Sequence, residues 1–271
     1  MKKNILIIGS SGYLGKKLKK NLSKRYNLIT PDKKELNIIK LDKIKKYFKK
    51  NIDFVINLSG QISKNRKSMK NIIVNGNKNI IQVCKNKKLK VFYLSTSLIY
   101  GFSNQKFKEN SIKNPVDYYA KFKFRAEQSY LKSNINYIIL RLCNIYNGKK
   151  NGIVKNMINS LKKNKPINLT NKNVYRNYIH IDDAVHVICK MLEKNLKHKV
   201  YNLGFENLKL ITLIKYLEKK LKIKIKYFNR NLDLNKIPSQ KICLKRIFNE
   251  IKYKPKHSIQ NYLLKKYYNE F

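Results

Sequence analysis

The sequence predicts an α/β fold built on a doubly wound, mostly parallel β-sheet, with a smaller mixed lobe toward the C-terminus. Short apolar runs alternate with longer amphipathic ones, which is typical of βαβ units. A glycine-rich segment directly follows the first apolar run. The 271 residues are 42% hydrophobic, which is enough for the core of one domain with an appended lobe.

The predicted strands of the first half are short apolar runs. Ile5 to Ile8 indicates a fully buried first strand, and Leu28-Ile29 indicates a weaker second one. Further runs follow at 54–58, 91–94 and 137–140. Five strands separated by amphipathic segments favour a parallel sheet.

Helices are predicted where apolar residues recur three or four positions apart. The stripes of the first half are Leu14, Leu18 and Leu22; Leu41, Ile44 and Phe48; and Ile73, Ile80, Ile81 and Cys84. Beyond about residue 147 the pattern is less regular. It predicts a helix at 153–163, a strand-to-helix unit at 178–195, and a strand and helix at 200–222.

The net charge of +47 is the unusual feature of the composition. Such a charge often indicates nucleic-acid binding, but proteins that recognise nucleic acid favour arginine, and here lysine supplies most of the positive charge. Because the lysines are spread along the chain, we interpret them as solvated surface and expect no nucleic-acid partner. A positive field would still attract a small substrate that carries phosphate.

The cysteines, at 84, 143, 189 and 243, are too scattered for a zinc or redox motif. We therefore expect free thiols, no metal site and a reducing compartment. No apolar run approaches the roughly 20 residues of a membrane span. The expected location is the cytoplasm, with no membrane partner.

Gly9, Gly12 and Gly15 follow the first predicted strand and lead into the first predicted helix. A strand that turns directly into a helix points free N–H groups and the positive end of the helix dipole at one place. The G-x-x-G-x-x-G spacing therefore predicts a pyrophosphate site in a Rossmann-type fold. We predict a dinucleotide-binding domain over residues 1–150 and a substrate-binding lobe over 151–271, with about 175–205 returning to the main sheet.

Asp32 stands at the end of the second predicted strand, where an acidic residue can bind the ribose hydroxyls of NAD. Lys33 and Lys34 follow it, and a cation there could accept the 2′-phosphate of NADP. The expected cofactor is NAD, with NADP left open.

Tyr119 and Lys123 are four residues apart, so they share one face of a helix. An ammonium group beside a phenol, aided by an oxidised nicotinamide, can stabilise the phenolate and lower the pKa of Tyr119 toward neutral, which suits proton transfer. Other Tyr-x-x-x-Lys pairs occur in this lysine-rich chain. The Ser/Thr-rich strand end that contains Thr96 distinguishes this one, because Thr96 could bind the same substrate oxygen.

These motifs occur in the order found in a known family. They are the glycine turn, Leu58-Ser59-Gly60, Asn75-Gly76-Asn77, Ser95 to Gly101, Tyr119-x-x-x-Lys123, Arg141 to Tyr146, Arg176 to Asp183 and Tyr201 to Gly204. In this respect the chain resembles extended short-chain dehydrogenases/reductases of the NAD-dependent epimerase/dehydratase family, which act on nucleotide sugars.

The resemblance implies a nucleotide-sugar epimerase or 4-keto reductase that transfers hydride at sugar C4. It implies Thr96, Tyr119 and Lys123 as catalytic residues, with Thr96, Asn144 and Arg176 binding a nucleotide-diphosphate sugar. The implied cofactor-binding residues are Gly9, Ser11, Gly12, Tyr13, Leu14, Asp32, Asn37, Leu58, Ser59, Gly60, Asn75, Tyr119 and Lys123. A homodimer is expected because the family usually pairs through the helix that carries the tyrosine.

The chain departs from the family pattern at several positions. Ser97-Leu98 stands where sugar dehydratases carry an acidic pair, which disfavours dehydration, and Asn37 stands where many relatives have aspartate. Only Arg230 and Arg246 are candidates for a second phosphate-binding arginine. Two alternatives stay open: a nucleic-acid-binding protein on the same fold, and a regulatory dehydrogenase-like subunit without turnover.

Overall fold

A computed structural model describes residues 1–60, 62–147, 152–169, 173–229 and 239–268. It has α/β architecture, as predicted. The strands are β1 (Asn4–Ile8), β2 (Asn27–Ile29), β3 (Phe54–Asn57), β4 (Lys90–Thr96), β5 (Lys106–Phe107), β6 (Asn136–Leu142), β7 (Asn144–Tyr146), β8 (Ile167–Leu169), β9 (Tyr175–His180), β10 (Val200–Leu203), β11 (Glu206–Lys209), β12 (Tyr227–Asn229) and β13 (Lys241–Ile242).

Ten α-helices lie in the described ranges, and all but three of them, those over 66–70, 245–251 and 259–268, are where the sequence predicted a helix. They are α1 (Tyr13–Leu22), α2 (Leu41–Tyr47), α3 (Arg66–Lys70), α4 (Gly76–Cys84), α5 (Tyr118–Leu131), α6 (Ile153–Lys162), α7 (Ile181–Leu192), α8 (Leu210–Leu221), α9 (Lys245–Ile251) and α10 (Ile259–Tyr268). The stripe that ends at Cys84 begins at Ile73 in a π-helical turn over Asn71–Asn75, which joins α3 to α4, and continues through α4. A 3₁₀ turn over Ser97–Tyr100 follows β4.

The main sheet has the strand order β10-β6-β4-β3-β1-β2. All five strands predicted in the first half are present, and their pairings along β2-β1-β3-β4-β6 are parallel. The chain goes from β1 outward to β2 and then returns to add β3 on the other side of β1. The carboxyl ends of β1 and β3 therefore flank the point where the strand order reverses, which is where open α/β sheets bind ligands.

The chain separates into two compact units that alternate along the sequence. The first comprises Met1–Tyr100, Ile112–Leu142 and Ile188–Tyr201, and the second Gly101–Ser111, Cys143–Val187 and Asn202–Phe271. The predicted boundary between residues 150 and 151 lies outside the described part of the chain.

Each unit has its own apolar core. In the first, Leu6, Val55 and Ile139 of the sheet are fully buried in a cluster with helix residues. In the second, residues of α6, α8 and α10 such as Met157 and Leu217 form a separate cluster. Within the described ranges, every helix is too short or too polar to cross a bilayer.

Candidate functional site

The three glycines after β1 have three different structural tasks. Gly9 has a φ of +84°, a left-handed conformation that side chains rarely adopt, so it makes the sharp turn. A Cβ on Gly15 would lie only 2.5 Å from the carbonyl oxygen of Gly9, so Gly15 lets α1 pack closely against the turn. A Cβ on Gly12 would contact that oxygen at 3.2 Å, and among the described residues other than its chain neighbours no further heavy atom lies within 4 Å of it. Gly12 thus has an open side.

The open side of the turn lies at the N-terminus of α1. Gly12 is the residue that precedes the helix, and it offers no side-chain cap for the helical N–H groups. A helix end of this kind favours an anion. Ser10 is buried and donates to the carbonyl oxygens of Thr30 and Pro31 at 3.3 and 3.1 Å, which ties the turn to the end of β2. Ser11 is exposed.

Other predicted cofactor residues follow directly on the turn or on β2. Tyr13 and Leu14 form the first turn of α1, with Tyr13 half-buried and Leu14 buried. Asp32 is exposed, and its Oδ1 accepts from the backbone N–H groups of Lys34 and Glu35 at 2.7 and 2.9 Å. This carboxylate therefore also shapes the loop after β2.

The loop after β3 adjoins the glycine turn. Leu58 donates its N–H to the carbonyl oxygen of Ile8 at 3.0 Å, and Gly60 has a φ of +96°. A Cβ on Gly60 would lie 2.6 Å from Cγ1 of Ile73, so the π-helical turn packs directly on this loop. The loop from Leu58 to Gly60 is therefore held against the end of β1 on one side and against the helical turn on the other.

Asn37 and Asn75 each make a local hydrogen bond. Oδ1 of the half-buried Asn37 accepts from the N–H of Ile39 at 3.0 Å, and Nδ2 of the exposed Asn75 donates to Oδ1 of Asn71 at 3.1 Å. Asn75 ends the π-helical turn that packs on the loop after β3.

Lys123 is buried, at 2% exposure, and bridges two strand ends. Its Nζ donates to the carbonyl oxygen of Ser59 at 2.9 Å and to that of Leu94, on β4, at 2.8 Å. Burial lowers the pKa of Lys123 to about 7, against the raising effect of the Glu127 carboxylate. The ammonium group is thus held where β3 and β4 end, and it changes charge near neutral pH.

Tyr119 lies one helical turn before Lys123 on α5, with its ring centroid 5.9 Å from Nζ. Burial raises the pKa of Tyr119 to about 12, and the carboxylate of Asp117, the N-cap residue of α5, adds to this. The predicted lowering is therefore not seen in the protein without coenzyme, because desolvation of the phenolate dominates. Thr96, at the end of β4, is buried, and its Oγ1 accepts from the N–H of Leu98 at 3.3 Å.

Three hydroxyl groups near these strand ends have no hydrogen-bond partner among the described residues. They are Oγ of Ser59, Oγ of Ser95 and the phenol of Tyr93, whose ring lies 5.0 Å from Nζ of Lys123. Buried polar atoms without partners are uncommon and indicate water or a ligand. With the open helix N-terminus, they fit a dinucleotide whose pyrophosphate lies against Gly12.

Glu127 on α5 and Arg141 on β6 form a buried ion pair. Arg141 Nη2 lies 2.8 Å from Oε2 of Glu127, and its Nη1 donates to the phenol of Tyr100 at 2.7 Å. Both charged side chains are almost fully buried. Glu127 follows Lys123 by four residues on α5, but Arg141 lies on β6, so no spacing in the sequence indicates that the two charges pair.

Asn144 and Arg176, the predicted phosphate-binding residues, belong to the second unit. Asn144 is exposed on β7, and its Nδ2 donates to the carbonyl oxygen of Asn177 at 2.9 Å. Arg176 is half-buried on β9 with its guanidinium group 5.6 Å from the ring of Phe102, and burial lowers its pKa. A cation that is costly to bury is well suited to an anionic ligand.

Of the two candidates for a second phosphate-binding arginine, the structure describes only Arg246. Arg246 has its Nε 3.8 Å from Oε2 of the buried Glu109, so it already has an anionic partner. Arg230 lies outside the described residues.

His180, Asp183 and His257 place possible metal-ligand atoms within 4.8 Å of one another in the second unit. Asp183 already accepts hydrogen bonds from the phenol of Tyr253 and from the backbone N–H groups of Lys256 and His257. The two imidazoles stack, with centroids 4.0 Å apart. We therefore interpret the carboxylate as an anchor for the 253–257 segment rather than as a metal ligand.

Comparison with known proteins identifies the sequence family. The model of the NAD dependent epimerase/dehydratase family matches residues 5–204. An ADP-L-glycero-D-manno-heptose-6-epimerase of Brachyspira hyodysenteriae is 30% identical over 147 residues. That match covers 48% of this chain and 46% of the relative, so it spans less than half of the relative's length.

Solved structures share the whole fold. A UDP-glucuronic acid 4-epimerase of Bacillus cereus, in complex with a fluorinated UDP-sugar and NAD, has a TM-score of 0.80 at 19% identity and covers 97% of this chain and 98% of its own. A dTDP-4-dehydrorhamnose reductase of Bacillus anthracis, in complex with NADP, has a TM-score of 0.81 at 19% identity, with coverage of 98% and 99%. At these identities, the likeness shows a common fold.

Proposed function

The chain belongs to the NAD dependent epimerase/dehydratase family, and from this premise we propose that it transfers hydride at C4 of a nucleotide-diphosphate sugar. An epimerase that uses NAD is the first candidate, because the family name includes both NAD and epimerase, the sequence relative above is a 6-epimerase, and one structural relative is a 4-epimerase in complex with NAD. A 4-keto reductase is the second, because one structural relative is a reductase in complex with NADP.

The observation that carries this proposal is the position of Lys123. Its ammonium group is held by carbonyl oxygens of the loop after β3 and of β4, next to Tyr119 and in the same unit as the glycine turn. Burial of a lysine's charge is costly, so a lysine is a poor choice where a side chain only fills space. Here two carbonyl oxygens at the carboxyl ends of the strands hold the charged group in place. The arrangement suits a charge that acts on the neighbouring phenol.

The residues of this chain would divide the work as follows. The N–H groups of the first turn of α1, beside the open side of Gly12, bind the pyrophosphate, and Thr96 binds the reacting hydroxyl group of the sugar. When bound, the coenzyme supplies the hydride acceptor and donor and, when oxidised, a positive charge. Tyr119 takes the hydroxyl proton in one direction and returns it in the other.

The raised pKa of Tyr119 defines what its surroundings must supply. With a pKa of about 12, the phenol is protonated at neutral pH and is ready to donate. Accepting a proton requires nearby positive charge, which Lys123 provides when it is protonated. Since the pKa of Lys123 is about 7, this contribution is strongest below neutral pH in the protein without coenzyme.

Asn144 and Arg176 are proposed to bind the phosphates of the sugar nucleotide. An amide N–H and a planar guanidinium group suit phosphate oxygens.

A homodimer and a cytoplasmic location remain predictions. The helix of the expected dimer face, α5, carries exposed cations such as Lys121 and Arg125, so the oligomeric state of the protein should be measured by light scattering at low and high salt.

The decisive experiment compares the wild-type protein with Tyr119→Phe. We expect turnover of nucleotide sugars to fall by about 10² to 10⁴, the usual range for lost acid–base catalysis, while NAD affinity and thermal stability change little. The substrates to test are UDP-hexoses, UDP-uronic acids, dTDP-4-keto sugars and ADP-heptoses. Full activity of Tyr119→Phe would contradict the proposal.

The fate of the coenzyme separates the two reactions. An epimerase retains NAD during purification and turns over without added nucleotide, whereas a reductase consumes NADH or NADPH in equal amount to its product. Mass spectrometry of the nucleotides released on denaturation identifies the coenzyme. A protein that releases none, fails to bind added NAD and binds RNA with steep salt dependence would support the nucleic-acid alternative instead.

Gly12→Val provides an independent test of the pyrophosphate site. Because the position is open, we expect the protein to fold and to lose NAD binding. Retained NAD affinity in a folded Gly12→Val protein would contradict the assignment of the turn.

A further inference from the structure

Three polar side chains form a closed network inside the core of the first unit. Nδ2 of Asn57, at the end of β3, donates to Oδ1 of Asn77 at 2.7 Å. The phenol of Tyr130, on α5, donates to the same oxygen at 2.9 Å and lies 3.3 Å from Nδ2 of Asn57. All three side chains have an exposure of 0%. Apolar residues could fill this space without the desolvation cost, so the network calls for an explanation.

The network leads by hydrogen bonds to the catalytic lysine. Oδ1 of Asn57 accepts the N–H of Ser59 at 3.0 Å, which bends the chain directly after β3. The carbonyl oxygen of Ser59 then accepts from Nζ of Lys123 at 2.9 Å. Four consecutive contacts therefore connect Tyr130 to Lys123, although both residues lie on the same helix, two turns apart.

The same network holds the other side of the loop. Nδ2 of Asn77 donates to the carbonyl oxygen of Ile73, within the π-helical turn, at 2.6 Å. Ile73 is the residue that packs on Gly60, where a Cβ would lie 2.6 Å from Cγ1. Irregular turns of this kind within helices are frequent at functional sites. Asn57 thus holds the N–H of Ser59, and Asn77 holds the turn that packs on Gly60, so the chain is restrained on both sides of the Ser59 carbonyl group.

We propose that Asn57, Asn77 and Tyr130 are positioning residues that hold the Ser59 carbonyl oxygen against the ammonium group of Lys123. The inference rests on the function proposed for Lys123. The physical reason is that a carbonyl oxygen already held in place, here that of Ser59, favours the charged form of the buried Lys123 amine. The ionisable groups around that amine are Glu127 and Tyr119 on α5 and Tyr93 on β4, and the substitutions of Asn57 used below replace none of them.

The test is a matched pair of substitutions, Asn57→Ala and Asn57→Ser. The two side chains are similar in size, but a serine hydroxyl can accept the N–H two residues further on, as the asparagine does. The titration of Lys123 is followed by NMR of ¹⁵N-labelled lysine in the coenzyme-free protein, with the resonance assigned by its loss in Lys123→Met.

In Asn57→Ala we expect the titration midpoint of Lys123 to fall by about one pH unit, and in Asn57→Ser to stay within about 0.3. A midpoint lower by one unit reduces the fraction of Lys123 that is protonated at pH 7 from about one half to about one tenth. Turnover of Asn57→Ala at that pH should therefore drop by about fivefold. The pH profile of turnover should shift by the same amount as the midpoint, which a general loss of stability would not produce.

Asn65→Ala is the control, because Oδ1 of the exposed Asn65 also accepts a backbone N–H, that of Ser68 at 2.9 Å, at the start of α3. It should leave the midpoint unchanged. If Asn57→Ala does not fold, Tyr130→Phe removes only a hydroxyl and keeps the ring stacked on Tyr93, with a smaller shift expected in the same direction.

The outcomes separate this inference from the proposed function. An unchanged midpoint in Asn57→Ala or Tyr130→Phe, or an equal shift in Asn65→Ala, overturns the inference. If Lys123→Met then still abolishes turnover, the proposed function stands. If Lys123→Met retains wild-type turnover, the proposed function fails whatever the network does.

Discussion

Replacing Lys123 by methionine should change how the stability of the protein depends on pH. The side chain is buried at 2% exposure, and burial lowers its pKa from the ordinary 10.5 to about 7. Between these values the unfolded chain holds a proton that the folded protein has released. Unfolding therefore takes up a proton, and the free energy of unfolding rises with pH through this window.

The magnitude follows from the size of the shift. Each pH unit inside the window contributes about 1.4 kcal/mol, so Lys123 should add about 3 kcal/mol to the free energy of unfolding between pH 7 and about pH 9.5. Below pH 7 the amine is charged in both states and contributes no slope. In Lys123→Met this contribution is absent over the whole range.

The assay is urea unfolding followed by circular dichroism at several pH values between about 6 and 9.5, for wild type and Lys123→Met. Lys121→Met is the matched control, because Lys121 is an exposed lysine on the same helix and should follow the wild type. Parallel stability curves for wild type and Lys123→Met would refute the assigned burial cost and the pH range proposed for the catalytic amine.

Three further predictions concern other parts of the two units. Gly15→Ala should lower the thermal unfolding midpoint and weaken NAD binding together, since its methyl group would lie 2.5 Å from a backbone carbonyl oxygen of the turn; an unchanged melting curve would contradict this. Glu127→Gln should cost about 3–5 kcal/mol of stability in urea unfolding, because it leaves Arg141 charged and buried without its anion, and a loss below about 1 kcal/mol would show that the pair is not desolvated. Asp183→Asn should destabilise the protein at neutral pH but much less in acid. Hydrogen bonds, among them that from Tyr253, lower the pKa of this carboxylate although burial opposes them. The contribution of the carboxylate to the free energy of unfolding is therefore present above the ordinary carboxyl pKa and is lost as pH falls through the pKa of the folded protein. A difference that is independent of pH would argue against this.

The sequence alone was sufficient for the periodic and local parts of the molecule. Apolar runs predicted five parallel strands of the main sheet, since strands buried on both faces are nearly continuous runs of apolar residues. These strands are β1, β2, β3, β4 and β6. The three glycines predicted the turn, because only glycine accepts a φ of +84° at Gly9 and the close approach at Gly15. Helical spacing predicted that Tyr119 and Lys123 share one face.

Other features came from residues far apart in the chain. The π-helical turn and the network of Asn57, Asn77 and Tyr130 join elements that no spacing rule connects, so nothing in the sequence indicated that these side chains would meet. The pairing of Arg141 with Glu127 is of the same kind.

The electrostatics of Tyr119 and Lys123, the proposed catalytic pair, show why tertiary structure was needed. Chain spacing places an ammonium group one turn from a phenol and so predicts a lowered pKa for Tyr119, yet burial raises that pKa to about 12 and lowers that of Lys123 to about 7. Residue order determined which groups are neighbours along a helix. How far each is removed from water, and which carbonyl oxygens replace that water, depends on elements that meet only in the folded protein, because desolvation sums over everything that surrounds a charge.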